Sequence, residues 1–482
     1  MYCLRIAERA KSSAATEISF QTISIATRGV HWTCNVVQPT SRITGARPDA
    51  KGLCLQARSR NGAFNKELSQ LKCLIINVLY PPIIFGGAEK SVALLATGLA
   101  RYGHDVTVVS LHPKNSQTVE EIDGVTVYRL PIDNIYWPYG AIEKRGLWRR
   151  IKWHTKDMWN SQAGQRVAAI IKEVKPDVVH TNNIRGMSVS VWGAARRLGV
   201  PVIHTLRDYS IMCIYGGMFR SGANCKKQCV ECWAFSQIRN YQSKKIDAIV
   251  SNSQSVLTTH QRADFFFNVK SHVIFNIGRN PSVEYNVNTD PEILSFGYIG
   301  RIEPMKGVEI ILQAIARMKP GKWRLVIAGR GSADYEISLK ERFPSSEIVW
   351  LGFVDPLKFY SLIDVCLVPS IWGEPLPRAL LESFSYGKSA ICSMAGGNLE
   401  AAALGRQVAS YPAEDVDALV AILSNAIDHP APWKAGGFAS AGAEAQISEN
   451  AIVKKYTEAY ELAIASMHPS RVVQGRTNKA DR

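Results

Sequence analysis

One pattern limits the fold more than any other. A buried apolar run, a glycine turn, an amphipathic helix and a second apolar run appear near residue 71 and again near residue 293. The first run, 71–80, reads Leu-Lys-Cys-Leu-Ile-Ile-Asn-Val-Leu-Tyr. It is too continuous for a strand with one wet face and predicts a parallel strand covered on both sides. Gly86 and Gly87 follow in a loop, then a helix over 90–102 with Val92, Leu95, Leu99 and Tyr102 on one face, then a strand over 105–111. Strands at 177–181, 201–206 and 247–253 and a helix at 188–198 continue the series. The second series has strands at 294–300, 323–328, 348–351, 365–369 and 389–393, with helices at 307–318, 356–363 and 374–382. Strands alternating with helices predict an α/β chain with two Rossmann-like, doubly wound domains facing a central cleft.

The expected organisation is a poorly ordered extension over 1–70, a first domain over 71–283, a second over 284–447, a helix over 448–467 crossing back to the first domain, and a disordered tail over 468–482. A chain of 482 residues is long enough for two cores. Its mean hydropathy of −0.06 and 20% charged residues are those of a globular protein. There is no apolar run of bilayer-spanning length and no compact secretory leader, which predicts a cytoplasmic location. The net charge of +16 is uneven: residues 72–283 carry +13 and residues 284–482 carry −3. The first domain is therefore where an acidic surface or acceptor should dock. Zinc-finger spacing, RNP-like aromatics and basic heptads are all missing, so nucleic acid is not the expected partner.

The chemistry concentrates in the second series. Glu374 and Glu382 stand eight residues apart in Trp372-Gly-Glu-Pro-Leu-Pro-Arg-Ala-Leu-Leu-Glu382. On one helix they would be about 12 Å apart on nearly one face, able to grip two parts of a long ligand. Upstream, Arg301 and Lys306 flank a turn closed by Gly307, where two cations would stabilise an anionic leaving group. Downstream, Gly396-Gly397-Asn398 offers bare backbone, with Glu400 behind it. Acid, base and glycine in this order suit a nucleoside diphosphate carrying a sugar. Glu382 would hold ribose hydroxyls and Glu374 those of the sugar. In the first series Gly86 and Gly87 allow close approach of backbone N–H groups to a ligand, or simply a tight turn. His204, Arg207 and Asp208 follow a strand, as cleft-facing groups or as a core histidine beside an internal ion pair.

Two further features are open. Cys213-x11-Cys225-x3-Cys229-x2-Cys232 fits either a structural zinc site or free thiols. Residues 143–159 mix Arg149, Arg150 and Lys152 with Trp148, Trp153 and Trp159, which fits a helix lying on anionic lipid or one packed on its domain.

Together Gly86-Gly87-Ala88-Glu89, Gly300-Arg301-x4-Lys306-Gly307, Leu351-Gly352-Phe353 and Glu374-x7-Glu382 resemble the retaining family-4 glycosyltransferases of GT-B fold, over residues 72–467. The resemblance implies metal-independent hexosyl transfer with retained configuration and a nucleotide-sugar donor held mainly by the C-terminal domain. In it Arg301 and Lys306 hold the diphosphate, Glu382 the ribose, Glu374 the sugar, and the backbone at Phe353 and Val354 the base. Many members have a histidine where Arg207 stands, so the sugar contact from that side departs from the family pattern. The implied acceptor is lipid-linked or a polysaccharide, in cell-surface glycan assembly, and the basic first domain with its tryptophan-rich segment is expected to dock at the inner face of the plasma membrane. The competing readings are a nucleotide-sugar epimerase and a non-catalytic glycan-binding relative. The four intact charged residues argue against the last.

Overall fold

The computed structural model describes residues 20–27, 30–37, 70–139, 146–278 and 290–467. The chain divides into two compact units, Met1–Glu67 and Leu68–Arg482. In the first, β1 (Phe20–Thr27) and β2 (Val30–Val37) pair antiparallel, with Phe20 opposite Val37. This hairpin falls in the segment read from the sequence as a poorly ordered extension. The rest of that extension up to residue 69, and the tail over 468–482, lie outside the described residues.

The second unit contains two sheets. The N-terminal lobe is built on β3 (Lys72–Ile76), β4 (Asp105–His112), β5 (Thr118–Ile122), β6 (Val125–Pro131), β7 (Val178–Thr181) and β8 (Val202–Leu206). After a small hairpin of β9 (Phe219–Arg220) and β10 (Ala223–Asn224) it is completed by β11 (Ala248–Ser251) and β12 (Lys270–Val273). The order is β12-β11-β8-β7-β3-β4-β6-β5, parallel except for the antiparallel β5. The C-terminal lobe contains β13 (Leu294–Ile299), β14 (Trp323–Ala328), β15 (Ile348–Gly352), β16 (Val365–Val368), β17 (Ser389–Ser393) and β18 (Val408–Tyr411). Its order is β15-β14-β13-β16-β17-β18, parallel throughout.

Both sheets are doubly wound. The direction of strand addition reverses between β3 and β7 in one lobe and between β13 and β16 in the other. Crevices open at the carboxyl ends of strands at such reversals. Apolar side chains fill both faces of each sheet, as the continuous runs predict. The C-terminal helix Glu449–Met467 places Ile452, Val453, Tyr456, Ala459, Tyr460 and Ala463 in the core of the N-terminal lobe, beside Leu95 and Leu99 of helix Gly87–Arg101. The Tyr460 hydroxyl lies 2.8 Å from His180 Nδ1 on β7.

The strands the sequence pattern misses are mostly edges. The residues of β5 and β12 are largely exposed, so they show no apolar run to read. One helix start is also corrected. Glu374 and Glu382 do not share a helix, because the helix spans Arg378–Ser385. Pro377 keeps the residue before it out of the helical region and itself sits extended at the cap, so Glu374 stays in the preceding loop.

Candidate active site

The C-terminal lobe's reversal point brings two loops together. After β13 the chain runs through Gly300 and Arg301 into a single 3-10 turn, Pro304–Lys306, and then helix Val308–Ile315. Gly307 joins them at φ 74°, and a Cβ there would lie 2.0 Å from the Pro369 carbonyl oxygen. Only glycine lets this turn meet the loop that follows β16. That loop carries Ser370, Trp372 and Glu374, and the Ile371 N–H donates to the Met305 carbonyl at 3.0 Å.

Glu374 is the centre of the arrangement. It is 7% exposed, and one oxygen, Oε2, accepts three hydrogen bonds. The donors are Lys306 Nζ at 2.7 Å, Ser370 Oγ at 2.9 Å and Trp372 Nε1 at 2.8 Å. Burial alone would raise its carboxyl, but the Lys306 ammonium and these hydrogen bonds outweigh it and hold the group below the ordinary range. Lys306 also lies 4.9 Å from the centre of the Trp372 ring. From the other side, Gly396 packs its backbone on Glu374, and Gly397 N–H donates to the Glu374 carbonyl at 2.6 Å. A Cβ on Gly396, which has φ 57°, would come within 2.3 Å of that carbonyl oxygen.

The other predicted donor residues surround this point unevenly. Arg301 is half-exposed and paired with Glu303 at 2.9 Å. Glu382 is nearly buried and accepts from Arg378 Nη2 at 2.8 Å. Phe353 is 71% exposed at the end of β15, with Val354 half-buried beside it. The Asn398 side chain is turned into the lobe. It is fully buried and donates to Ser393, whose hydroxyl donates to the Ser370 carbonyl, so it braces the Glu374 loop from behind.

The N-terminal lobe supplies the opposite wall. Gly86 caps helix Gly87–Arg101, and its N–H donates to Glu89 at 2.8 Å. Burial raises the Glu89 carboxyl, which also feels Asp208 from its own lobe and Arg301 from the other. Asp208 follows β8 and accepts from Asn183 Nδ2 at 2.9 Å and Ser210 N–H at 2.8 Å. Burial raises its carboxyl too. Arg207 corrects the expectation of a cleft-facing group. It is turned into the lobe, donating through Nε to Asn182 and through Nη1 to Asn276, each at 2.7 Å. His204 is a core residue, 2.9 Å from the Thr181 hydroxyl and stacked on Phe266. Burial pushes it down to about 3.

Contacts between the lobes are what sequence reasoning missed. Arg378 donates to Ser91 Oγ at 3.1 Å as well as to Glu382, and a Cβ on Gly87 would come within 2.9 Å of its side chain. Glu400, expected as a polar ligand contact, instead accepts from the N–H groups of Gln254 and Ser255 at the start of helix Gln254–Arg262. Arg378 lies inside the motif read from the sequence, but a partner 287 residues away leaves no local signal.

The cysteines give no support to zinc. Cys213, Cys225, Cys229 and Cys232 are free thiols, with the Cys213 and Cys232 sulfurs 3.7 Å apart. Among the described residues no group of three or more His, Cys, Asp or Glu is placed to hold a metal ion. In the basic helix Leu147–Met158, Trp148 is 75% exposed while Trp153 is buried against its domain. No helix among the described residues is long and apolar enough to cross a membrane.

Comparison with known proteins agrees with this fold. Residues 86–276 match the Glycosyl transferase 4-like domain and residues 283–445 the Glycosyl transferases group 1 family. An uncharacterized 42.6 kDa protein in the cps region of Klebsiella pneumoniae is 33% identical over 335 residues, 68% of this chain and 87% of that one. Glycogen synthase of Mycobacterium tuberculosis is 25% identical over 385 residues, 75% of this chain and 87% of that one. Among solved structures, sucrose-phosphate synthase from Thermosynechococcus elongatus superposes with a TM-score of 0.66 at 17% identity, covering 82% of this chain and all of the other. Anabaena HepE in complex with UDP-glucose gives 0.56 at 16%, covering 81% of this chain and all of that one. The chain belongs to the group 1 glycosyltransferases, with the GT-B fold.

Proposed function

We propose that the protein transfers a hexose, with retention of configuration, from a nucleoside diphosphate sugar to a lipid-linked or polysaccharide acceptor in cell-surface glycan synthesis. The observation that carries this reading is the buried Glu374 carboxylate, fixed through Oε2 beside Lys306 at the β13/β16 reversal. With Oε2 occupied, Oε1 is the oxygen left to accept sugar hydroxyls. Lys306 has further N–H donors for the diphosphate, and Arg301 would exchange its exposed Glu303 partner for a phosphate. As the glycosidic bond breaks, negative charge grows on the leaving diphosphate, and these two cations stabilise it without a metal. Glu382 would take the ribose hydroxyls, the backbone at Phe353 and Val354 the base, and Gly86, Gly87, Gly396 and Gly397 would let the backbone come close to the donor. Asp208 would line the acceptor side. The neighbour HepE has UDP-glucose bound, and the Klebsiella relative lies in a cps region; both support a nucleotide-sugar donor and a surface polysaccharide product.

The acceptor lobe would work on an anionic membrane surface at the inner face of the plasma membrane. Its charge, and the exposed Leu147, Trp148, Arg149, Arg150 and Lys152 on one helix, favour that docking. Calorimetry and turnover with UDP-, GDP- and ADP-sugars test the whole reading. One donor should bind and turn over with EDTA present, and Glu382→Ala and Arg301→Ala should each weaken it about 10- to 150-fold, the equivalent of roughly 1.5–3 kcal/mol. Activity abolished at once by EDTA, or donor affinity unchanged in both variants, would refute it.

A further inference from the structure

The segment from Tyr209 to helix Val230–Ser243, which contains Cys213, Cys225 and Cys229, has no part in the reaction described so far. It reaches across to the donor lobe at one place. Its β9–β10 hairpin turns through Ser221 and Gly222, both at positive φ, and ends on Asn224. The Asn224 amide makes two bonds to the other lobe. Nδ2 donates to the Ile371 carbonyl at 2.5 Å, and Oδ1 accepts from the Gly373 N–H at 3.1 Å. These are the two residues on either side of Trp372, whose indole N–H holds Glu374.

The same segment touches the same loop at two more points. A Cβ on Gly217 would lie 2.8 Å from the Met305 methyl and 3.5 Å from the Trp372 ring. The Tyr209 ring meets Trp372 edge-on, with centroids 6.2 Å apart. Met305 in turn receives the Ile371 N–H. Three contacts from one insert therefore converge on the short stretch that fixes Lys306, Trp372 and Glu374.

We infer that this insert is a clasp, and that Asn224 is a positioning residue for transfer. By bracketing Trp372, Asn224 sets the backbone that aims Glu374 at the sugar. An amide suits the task because it donates and accepts in one plane. Asn224 is itself exposed, so its bonds compete with water and can open when donor or product passes. The clasp acts on the sugar end of the donor and leaves the diphosphate end to Arg301 and Lys306. This inference rests on the reading of Glu374 as the sugar contact.

The test uses the full chain with Asn224→Ala, Asn224→Asp and Glu374→Gln. UDP, GDP and ADP alone, and their sugar conjugates, serve as probes. Asn224→Ala should raise hydrogen exchange across residues 371–374. It should also lower kcat for the active donor about tenfold, while binding of the bare nucleoside diphosphate stays within twofold. Asn224→Asp, which keeps the acceptor for Gly373, should fall between. Unchanged exchange at 371–374 overturns the clasp, and so does unchanged turnover beside an impaired Glu374→Gln. A joint fall in melting temperature and diphosphate binding also overturns it, because that is ordinary packing. If Glu374→Gln turns over normally, the sugar reading fails instead, and the exchange result still decides the clasp.

Discussion

The two lobes share one architecture but treat charge in opposite ways. The donor lobe concentrates polar groups at the β13/β16 reversal, where every donor on Glu374 comes from a neighbouring turn. The N-terminal lobe buries its polar groups deeper. His180, His204 and His260 lie in or beside its sheet and are at most 2% exposed. Arg207 is held by two asparagines beneath the cleft. In residues 290–467 the single histidine is His429. One lobe thus holds a carboxylate–ammonium pair in a nearly neutral body, and the other is a basic body whose core contains histidines that burial keeps neutral.

The largest effect that would break this comparison is acid. Burial lowers His204 to about 3 and His260 to about 4, and pushes His180 well below its ordinary value. The folded lobe therefore binds fewer protons than the unfolded chain below about pH 6.5. The stability these groups contribute is present above that pH and lost as pH falls toward the folded values. Between pH 6.5 and 4.5 each histidine destabilises the folded lobe further, because the unfolded chain takes up its proton and the buried ring does not. Hydrogen exchange at pH 4.5 should show β7 and β8 losing protection while β13 and β16 keep theirs. Equal loss in both lobes would refute the contrast.

Next in size is Glu374→Gln, which should cut turnover about 10- to 150-fold with little change in melting temperature, since the glutamine oxygen can still accept from Lys306, Ser370 and Trp372. Loss of folding instead would mean that the pocket holds the donor lobe together. A smaller effect is expected from replacing Arg149, Arg150 and Lys152 together with Gln. Each cation contributes roughly 1 kcal/mol at an anionic surface, screened by salt. Sedimentation with phosphatidylserine vesicles should fall about tenfold or more. Equal sedimentation of the variant and the unmodified protein would leave the basic lobe without a membrane role. The smallest is Arg378→Ala, which removes a bond to each lobe and should weaken donor binding about fivefold, within the range of one lost hydrogen bond.

The same contrast explains what could be read in the sequence. The donor lobe was legible because its chemistry is local: Lys306, Gly307 and Glu374 lie within a few residues of the strands that aim them. Even there the helix was placed too early, because Pro377 overrides a periodicity that includes Glu374. In the N-terminal lobe, Arg207 stands at the end of β8, where cleft residues belong, and His204 lies within that strand; only packing shows that both turn inward. Asn224 had no legible sign at all. A single asparagine in a polar loop acquires meaning from Ile371 and Gly373, nearly 150 residues further on.

The C-terminal helix has a consequence for how the protein is made. Ile452, Val453, Tyr456 and Tyr460 belong to the core of the lobe that leaves the ribosome first. Until the last twenty or so of the described residues are synthesised, that lobe's sheet has an uncovered apolar face and a His180 without its Tyr460 partner. The donor lobe, made second, needs nothing from later in the chain than Ile447 to fill its cores. The N-terminal lobe, first to be synthesised, therefore has its core completed only after the whole C-terminal lobe has been made.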